Sequence, residues 1–199
     1  AEAGRVIAGT ARGIRLVAPG EGTRPLADRV KETLFAILEP ELRGARFLDL
    51  FAGSGAAGIE ALSRGADAAV FVEKDATATR TIDENLRRAR LGGGQVVRAD
   101  VLRWLGGAAA PASPFDVVFA DPPYSDPQLL LRALEILGDP ERAVVAPGAR
   151  VVAKHFWREH PPAAIGLLAS DRERRFGETT LTFYRLVDAA ASQHDEEAR

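Results

Sequence analysis

The chain has 199 residues, 46% of them hydrophobic, which is enough to bury the core of one ordinary domain. The absence of cysteine excludes disulfides and thiolate metal sites, and a net charge of −2 argues against a protein that coats nucleic acid over its whole surface. There is neither an apolar run of about 18 residues nor an N-terminal signal peptide, so we expect a soluble, cytoplasmic protein without a membrane span.

The first 40 residues are predicted to form an appendage to the main domain. Two short apolar runs, Arg5–Gly9 and Ile14–Val17, are separated by glycine and indicate a small hairpin. Apolar residues then recur at helical spacing over Leu26–Leu38, which predicts an amphipathic helix that ends at Pro40. Between residues 5 and 31 six basic side chains stand against two acidic ones, so this appendage is the candidate surface for nucleic acid.

Residues 41–188 alternate buried strands with helices. Such alternation requires crossover connections and predicts a doubly wound α/β domain, with a seven-stranded, mostly parallel sheet whose last two strands form an antiparallel edge hairpin. The predicted strands are Arg46–Leu50, Ala68–Val72, Gln95–Arg98, Phe115–Ala120, Arg150–Ala153, Leu167–Ala169 and Thr180–Leu186. The predicted helices are Ala56–Ser63, one from an N-cap at Asp75 through Leu91, Val101–Leu105 and Pro127–Leu137. The small, polar segment 189–199 is predicted to be a disordered tail.

A glycine-bearing loop follows the first strand of this domain, at the edge where doubly wound folds bind ligands. Gly53 and Gly55 permit a tight turn and close approach of a ligand to the backbone. Because Gly58 completes a dinucleotide-like spacing, a nicotinamide cofactor has to be considered. Asp49 precedes the glycines, and a carboxylate there suits a cationic, amine-bearing ligand better than a pyrophosphate, which it would repel.

Carboxylates lie at the ends of three consecutive strands. Asp49 lies at the end of the first. Glu73 ends the second and is placed to accept both ribose hydroxyls, and Asp100 follows the third and is placed to accept from an adenine amino group. Together they fit the amino-acid, ribose and adenine parts of S-adenosylmethionine. The alternatives are that Asp49 is a structural loop residue, that Asp100 merely caps a helix, and that Glu73 serves a nicotinamide cofactor.

The sequence Asp121-Pro122-Pro123-Tyr124 directly follows the fourth strand and is the most specific motif in the chain. The two prolines stiffen the backbone and remove two amide donors, which leaves the Pro122 carbonyl beside the Asp121 carboxylate. Two neighbouring acceptors suit the two hydrogens of an exocyclic amine and would aim its lone pair at an activated methyl group. Tyr124 offers a ring on which a base taken out of its stack can lie.

With these motifs the chain resembles the bacterial 16S ribosomal RNA guanine-N2 methyltransferases that act on guanine 966 of that RNA. The resemblance extends to about Leu186. The segments that carry it are Arg5–Gly9, Gly13–Leu16, Thr23–Pro25, Asp28–Glu32, Leu48–Gly55, Glu60–Ala66, Phe71–Asp75, Asp121–Tyr124 and Phe176–Tyr184. A departure from the family pattern is Lys154-His155, where a Glu-His pair is usual; Lys154 is interpreted as a solvated lysine, with contact to a phosphate as the alternative.

The resemblance implies a Rossmann-like class I methyltransferase that uses S-adenosylmethionine and needs no metal. Its partner would be 16S rRNA, the small subunit or an assembly intermediate, and we expect a monomer. The implied catalytic residues are Asp121, Pro122, Pro123 and Tyr124. The implied cofactor-binding residues are Asp49, Phe51, Ala52, Gly53, Ser54, Gly55, Glu73, Lys74, Asp100 and Val101. The implied RNA-binding residues are Arg5, Arg12, Arg15, Thr23, Arg24 and Arg29.

Several other functions are consistent with parts of this pattern. A DNA adenine methyltransferase can share the tetrapeptide, but it needs a sizeable module to read a groove, and the residues after Tyr124 are mostly used by the last strands. A tRNA guanine-N2 methyltransferase and a non-catalytic RNA-binding assembly factor stay open. A protein-glutamine methyltransferase usually has Asn where this chain has Asp121, so Asp121 argues against that function. The histidines His155, His160 and His194 lack the spacing of a zinc site and are interpreted as surface or loop residues.

Overall fold

Strands and helices alternate along the backbone of the computed structural model, which describes residues 2–20, 25–107 and 113–188. The chain divides into two compact units, Ala1–Val101 and Leu102–Arg199. Thr23, Arg24, His194 and the predicted tail at 189–199 lie outside the described residues. The fold class is confirmed: this is an α/β protein with parallel strand pairs in both units and antiparallel pairs among the last strands of the chain.

The first unit combines a two-stranded hairpin with a parallel sheet connected by helices. Its elements are β1 (Glu2–Arg5), β2 (Arg15–Val17), α1 (Asp28–Leu42), β3 (Arg46–Leu50), α2 (Ala56–Ser63), β4 (Ala68–Glu73), α3 (Ala76–Ala89) and β5 (Gly94–Arg98). β1 and β2 pair antiparallel, which confirms the predicted hairpin. β4 lies between β3 and β5 and pairs in parallel with both, so the carboxyl ends of all three strands meet at one edge.

The second unit carries the antiparallel part of the fold. Its elements follow the short helix α4 (Val101–Leu105) and are β6 (Phe115–Ala120), α5 (Pro127–Leu137), β7 (Val145–Phe156), β8 (Ala164–Ile165), β9 (Leu168–Phe176) and β10 (Thr179–Leu186). The strand order is β6-β7-β10-β9-β8, with β6 and β7 parallel and the remaining pairs antiparallel. The described residues therefore contain one more sheet strand than the seven predicted, namely the two-residue β8.

The prediction that Pro40 ends the first helix is wrong, because α1 continues through it to Leu42. A proline inside a helix removes one backbone hydrogen bond. The loss falls in the last turn here, and the fully buried side chains of Leu38 and Leu42 hold that turn against the core. Tertiary packing thus outweighs a local stop signal.

The fifth sheet strand is much longer than the predicted Arg150–Ala153. β7 runs from Val145 to Phe156 because β10 pairs with it along its whole carboxyl half, as far as Thr179 opposite Phe156. This extension places Lys154 and His155 inside the sheet, directly after the segment that pairs with β6.

The N-terminal hairpin is attached to α2 through buried polar groups. The Glu60 carboxylate, which is fully buried, accepts from the backbone amides of Ile7 and Ala8 at 3.0–3.2 Å. The Ser63 hydroxyl donates to the Ala8 carbonyl at 2.6 Å and accepts from the Ala11 amide at 2.9 Å. The hairpin therefore belongs to the first compact unit; its predicted role as a separate, RNA-facing appendage of residues 1–40 stays a prediction.

Candidate active site

The loop after β3 has the left-handed backbone that its glycines predict. Gly53 and Gly55 have φ values of 57° and 78°, and the Gly55 amide donates to the Ala52 carbonyl at 2.8 Å to close the turn. Phe51, which is not a glycine, also has a positive φ of 58° and stores strain of about 1–3 kcal/mol. A Cβ atom built on Gly53 would meet nothing within 4 Å, so the loop presents its backbone to open space that a ligand can enter.

Asp49 is buried, with 2% of its surface exposed, and its Oδ2 atom accepts from the Gly58 amide at 2.9 Å. Gly58 lies in the first turn of α2, whose N-cap residue, Gly55, has no side chain to satisfy the free amides. Asp49 supplies that acceptor from the neighbouring strand. Asp49 therefore has the structural role of capping the start of α2, and its role in binding a cofactor stays a prediction.

Glu73 joins the ends of β3 and β4. Its Oε2 atom accepts from the Gly53 amide at 3.0 Å, and its Oε1 atom accepts from the Asp75 amide at 2.9 Å. Each carboxylate oxygen has a second lone pair, so these bonds orient the group without exhausting its capacity as an acceptor. Asp75 caps α3 as predicted, by accepting from the Ala78 amide at 2.7 Å.

The remaining predicted cofactor residues differ in exposure. Lys74 and Asp100 are exposed, whereas Val101, the first residue of α4, is buried. Ser54 is buried, and its carbonyl accepts from the Asn85 side chain at 2.9 Å. Within the first unit, Gly53 and Glu73 are thus hydrogen-bonded to each other at the carboxyl edge of β3 and β4, and Asp100 follows β5.

Asn85 is a residue that the sequence reasoning missed. It is fully buried on α3, accepts from the Val17 amide at 2.8 Å, and donates to the carbonyls of Val17 and Ser54, both at 2.9 Å. It therefore ties β2 of the hairpin to the glycine loop. The available signal was its position on the apolar face of α3, between the buried Ile82 and Leu86, where a polar side chain needs internal partners.

Replacing Gly58 by Ala is expected to destabilise the protein by about 1–3 kcal/mol, although Ala is the better helix former. A Cβ atom there would lie 2.3 Å from the Phe71 ring, so helix and strand would have to separate. The matched control is Gly92→Ala, where the added atom meets nothing within 4 Å. Urea unfolding measures both variants, and equal stability of the two would refute this packing role of Gly58.

The tetrapeptide after β6 is built around an ion pair. The Lys154 ammonium donates to Asp121 Oδ1 at 2.8 Å, and the two side chains are only 15% and 24% exposed. Burial raises the pKa of Asp121 above its usual value, and the Lys154 charge opposes part of that rise. Burial also acts to lower the pKa of Lys154, but the partnership with Asp121 outweighs it and the pKa is raised. The interpretation of Lys154 as a solvated lysine is therefore wrong.

The Tyr124 ring is held from three directions. Its hydroxyl is 3.0 Å from Thr179 Oγ1, the Lys154 ammonium lies 5.0 Å from the ring centroid, and the Phe156 ring packs against it at 6.2 Å and 48°. These contacts fix the orientation of the ring before any ligand binds. Within the second unit, the structure thus brings Asp121, Tyr124 and Lys154 together.

His155 was predicted to be a surface or loop residue, and that is wrong. It is 2% exposed, Nδ1 lies 2.9 Å from the Phe156 carbonyl oxygen, and Nε2 lies 2.8 Å from Thr182 Oγ1. It is a core residue of β7 whose two ring nitrogens are both hydrogen-bonded.

Across residues 2–20, 25–107 and 113–188 there is no group of three side chains arranged to hold a metal ion.

The described members of the predicted RNA-binding set, Arg5, Arg12, Arg15 and Arg29, are all exposed. Arg5 pairs with Asp28 at 3.6 Å and Arg15 with Glu2 at 3.3 Å, both in solvent where such pairs are weak. Lys31, which contributed to the local basic excess, is fully buried and adds nothing to the surface charge.

No helix in the described part of the chain is long and apolar enough to cross a membrane.

The fold is the class I methyltransferase fold. The chain aligns with the yhhF protein of Escherichia coli at a TM-score of 0.82 and 33% identity, over 92% of this chain and 97% of that one. A hypothetical protein of Thermus thermophilus, TTHA0928, aligns at a TM-score of 0.76 and 36% identity, over 90% and 97% of the two chains.

The chain belongs to the family described as Conserved hypothetical protein 95, whose model matches residues 4–185. YlbH of Bacillus subtilis, provisionally named an rRNA methyltransferase, is 40% identical over 91% of this chain and 98% of its own length. Ribosomal RNA small subunit methyltransferase D of Escherichia coli is 42% identical over 60% of each chain, so the alignment spans less than two thirds of that relative.

Proposed function

We propose that this protein is an S-adenosylmethionine-dependent methyltransferase that methylates an exocyclic amine of a base in ribosomal RNA. The observation that carries the proposal is the rigid tetrapeptide after β6, whose half-buried Asp121 is held by Lys154 beside an oriented Tyr124 ring. The names of the two curated relatives support ribosomal RNA as the substrate.

The residues of the first unit support S-adenosylmethionine as the cofactor. The backbone of Gly53 faces open space. The carboxylates at the carboxyl ends of β3 and β4 and after β5 are suitable acceptors for an amino group, ribose hydroxyls and an adenine amine. S-adenosylmethionine, when bound, supplies an activated methyl group on a sulfonium. We assign its binding to the residues predicted from the sequence, at the loop after β3 and the strand ends that follow.

The second unit supplies the acceptors for the amine. Asp121 Oδ1 already accepts from Lys154, so Oδ2 and the Pro122 carbonyl are the acceptors that we assign to the two amine hydrogens. Holding both hydrogens favours a pyramidal nitrogen whose lone pair points away from the base ring, which is the geometry that transfer needs. The Asp121 carboxylate also stands where it can take the proton that the nitrogen loses.

The finer parts of the proposal follow the family resemblance. We assign N2 of a guanine in 16S rRNA as the atom that receives the methyl group. The substrate would be the small subunit or an assembly intermediate, and the enzyme would act as a cytoplasmic monomer. Arg5, Arg12, Arg15, Arg29 and the segment with Thr23 and Arg24 are proposed to contact phosphates of that RNA, because exposed guanidinium groups bind phosphate in two-pronged fashion.

The test is methyl transfer from labelled S-adenosylmethionine to small-subunit particles and to naked 16S rRNA, followed by nuclease digestion and mass mapping. A single N2-methylguanosine is the expected product. Transfer to DNA or to tRNA, offered in parallel reactions, in place of 16S rRNA would contradict the proposal, as would no transfer at all. Calorimetry with S-adenosylmethionine and with NAD distinguishes three alternatives. A methyltransferase would bind S-adenosylmethionine, an enzyme with a nicotinamide cofactor would bind NAD, and a non-catalytic assembly factor would bind neither.

Replacing Lys154 by Met is expected to move the acidic limb of the pH profile of kcat/KM to higher pH. Asp121 is active in its ionised carboxylate form, and burial already raises its pKa. Removing the opposing Lys154 ammonium lets that pKa rise further. Protonation of Asp121 then inactivates the enzyme at a higher pH. Lys154→Arg keeps the charge and is expected to keep the limb near its original pH. An unmoved limb in Lys154→Met would show that Asp121 does not set it.

A further inference from the structure

Trp157, Arg158 and Arg175 form a cation–aromatic cluster at the carboxyl end of β7. The guanidinium carbons of Arg175 and Arg158 lie 4.0 and 4.8 Å from the centroid of the Trp157 ring. Both arginines are exposed, and the indole is half-buried. The Trp157 backbone amide donates to the Glu178 carbonyl at 2.9 Å, which holds the Trp157 backbone beside the turn between β9 and β10.

The two guanidinium groups are not neutralised by acidic neighbours. Among the described residues neither Arg158 nor Arg175 has a carboxylate within 4.0 Å; Arg175 instead donates from Nε to the Gly177 carbonyl at 2.9 Å. Arg150 of the same unit, by contrast, is paired with Asp171 at 2.6 Å. The cluster therefore presents two exposed guanidinium groups, without a carboxylate partner, stacked on a half-buried indole. Positive charge beside stacking planes is the combination that single-stranded nucleic acid binds.

The cluster is also close to the tetrapeptide. The Tyr124 ring contacts Phe156 at 6.2 Å, and Phe156 contacts Trp157 at 6.1 Å, so two consecutive ring contacts connect the proposed base-binding tyrosine to the cluster. A strand whose target base lies at Tyr124 brings its neighbouring nucleotides to this part of the surface. Arginine planes and aromatic rings are the groups on which splayed RNA bases stack.

We propose that the cation–aromatic cluster binds the single-stranded RNA next to the target nucleotide. A flanking base stacks on the indole or on a guanidinium plane, and the second guanidinium neutralises the adjoining phosphate. This inference rests on the proposed function, because it needs an RNA substrate at Tyr124. It adds a contact that the basic hairpin of the first unit does not provide, namely recognition of unpaired bases.

The first test compares Arg175→Gln with Arg174→Gln, which remove the same charge from adjacent positions of β9. Successive side chains of a strand point to opposite faces, and Arg174 donates to the Glu173 carbonyl. The probe is a short single-stranded oligoribonucleotide centred on the methylated guanine, and its affinity is measured by anisotropy over a range of salt concentrations. Arg175→Gln is expected to lower affinity and to reduce the salt slope by about one, with Arg174→Gln unchanged.

The second test separates stacking from charge. Trp157→Leu is expected to weaken binding of the oligoribonucleotide roughly tenfold to a hundredfold and to leave binding of an abasic oligomer of equal length nearly unchanged. In a Trp104→Phe background Trp157 is the single tryptophan, because the chain has two. Its emission is expected to change with the oligoribonucleotide and not with the abasic oligomer, which also reports on the site if Trp157→Leu does not fold.

The outcomes distinguish the inference from the proposed function. If the unmodified protein transfers no methyl group to any RNA, the proposed function fails and the inference fails with it. If the protein methylates RNA but Arg175→Gln and Arg174→Gln bind the probe equally, the inference alone is overturned. Unchanged Trp157 emission on binding of the oligoribonucleotide overturns it as well.

Discussion

Asp121→Asn is expected to lower the rate of methyl transfer by about 10²–10⁴-fold and to leave the affinity for S-adenosylmethionine within about twofold. The amide has nearly the shape of the carboxylate, but its nitrogen donates where the amine hydrogen needs an acceptor. The substitution also removes the charge that pairs with the half-buried Lys154 ammonium, 2.8 Å away. Single-turnover rates measure the chemical step, and calorimetry measures cofactor binding.

The matched control for this substitution is Asp126→Asn. Asp126 is exposed in the same loop, and its Oδ1 atom accepts from the Gln128 amide at 3.1 Å as the N-cap of α5. Asparagine caps helices about as well as aspartate, so this variant is expected to keep nearly full activity. If both variants lost activity equally, the loss would reflect the loop as a whole, and the specific role of Asp121 would be wrong.

Glu60→Gln is expected to lower the free energy of unfolding by about 3–5 kcal/mol. The Glu60 carboxylate is fully buried, accepts from two backbone amides and from Arg64 Nη2 at 3.0 Å, and has the buried Lys31 ammonium 4.0 Å away. Neutralising it leaves two cations without their buried counter-charge. Burial already lowers the pKa of Lys31, with Glu60 opposing that effect. Thermal unfolding should show a decrease in Tm of roughly 6–20 °C.

Glu39→Gln provides the comparison for Glu60. Glu39 also pairs with Arg64, at 3.2 Å, but it is 58% exposed, so its loss is expected to cost less than about 1 kcal/mol. The double variant Lys31→Met with Glu60→Gln is expected to be more stable than the sum of the single effects predicts, because the uncompensated charge is then gone. Additive effects would contradict direct coupling between Lys31 and Glu60.

Local sequence patterns predicted most of the fold because its elements are marked by local signals. The bounds of β3, α2, α4, β6 and α5 agree with the predicted ones, since each is an apolar run or a helical repeat delimited by glycine, proline or a capping residue. The errors arise where distant segments decide the outcome. Pro40 lies in a helix held by core packing, and β7 is extended by pairing with β10, which no pattern near residues 145–156 indicates.

The candidate site was predictable to a similar extent. The glycine loop and the tetrapeptide were found because their residue types and order along the chain are themselves the signal. The sequence did not predict the roles of Lys154, Asn85 and Glu60. A charged or amide side chain looks the same in sequence whether it faces solvent or a buried partner. Only the fold shows that Lys154 reaches Asp121, 33 residues earlier in the chain.

The polar anchors of the N-terminal hairpin have a consequence for local unfolding. Opening the hairpin would leave the Glu60 carboxylate without its amide donors and would remove two of the three hydrogen bonds of Asn85. Because such buried groups are costly to leave unsatisfied, the hairpin does not fray by itself like an ordinary chain terminus. We therefore expect it to open together with α2, with residues 2–17 and the glycine loop as one cooperative folding unit.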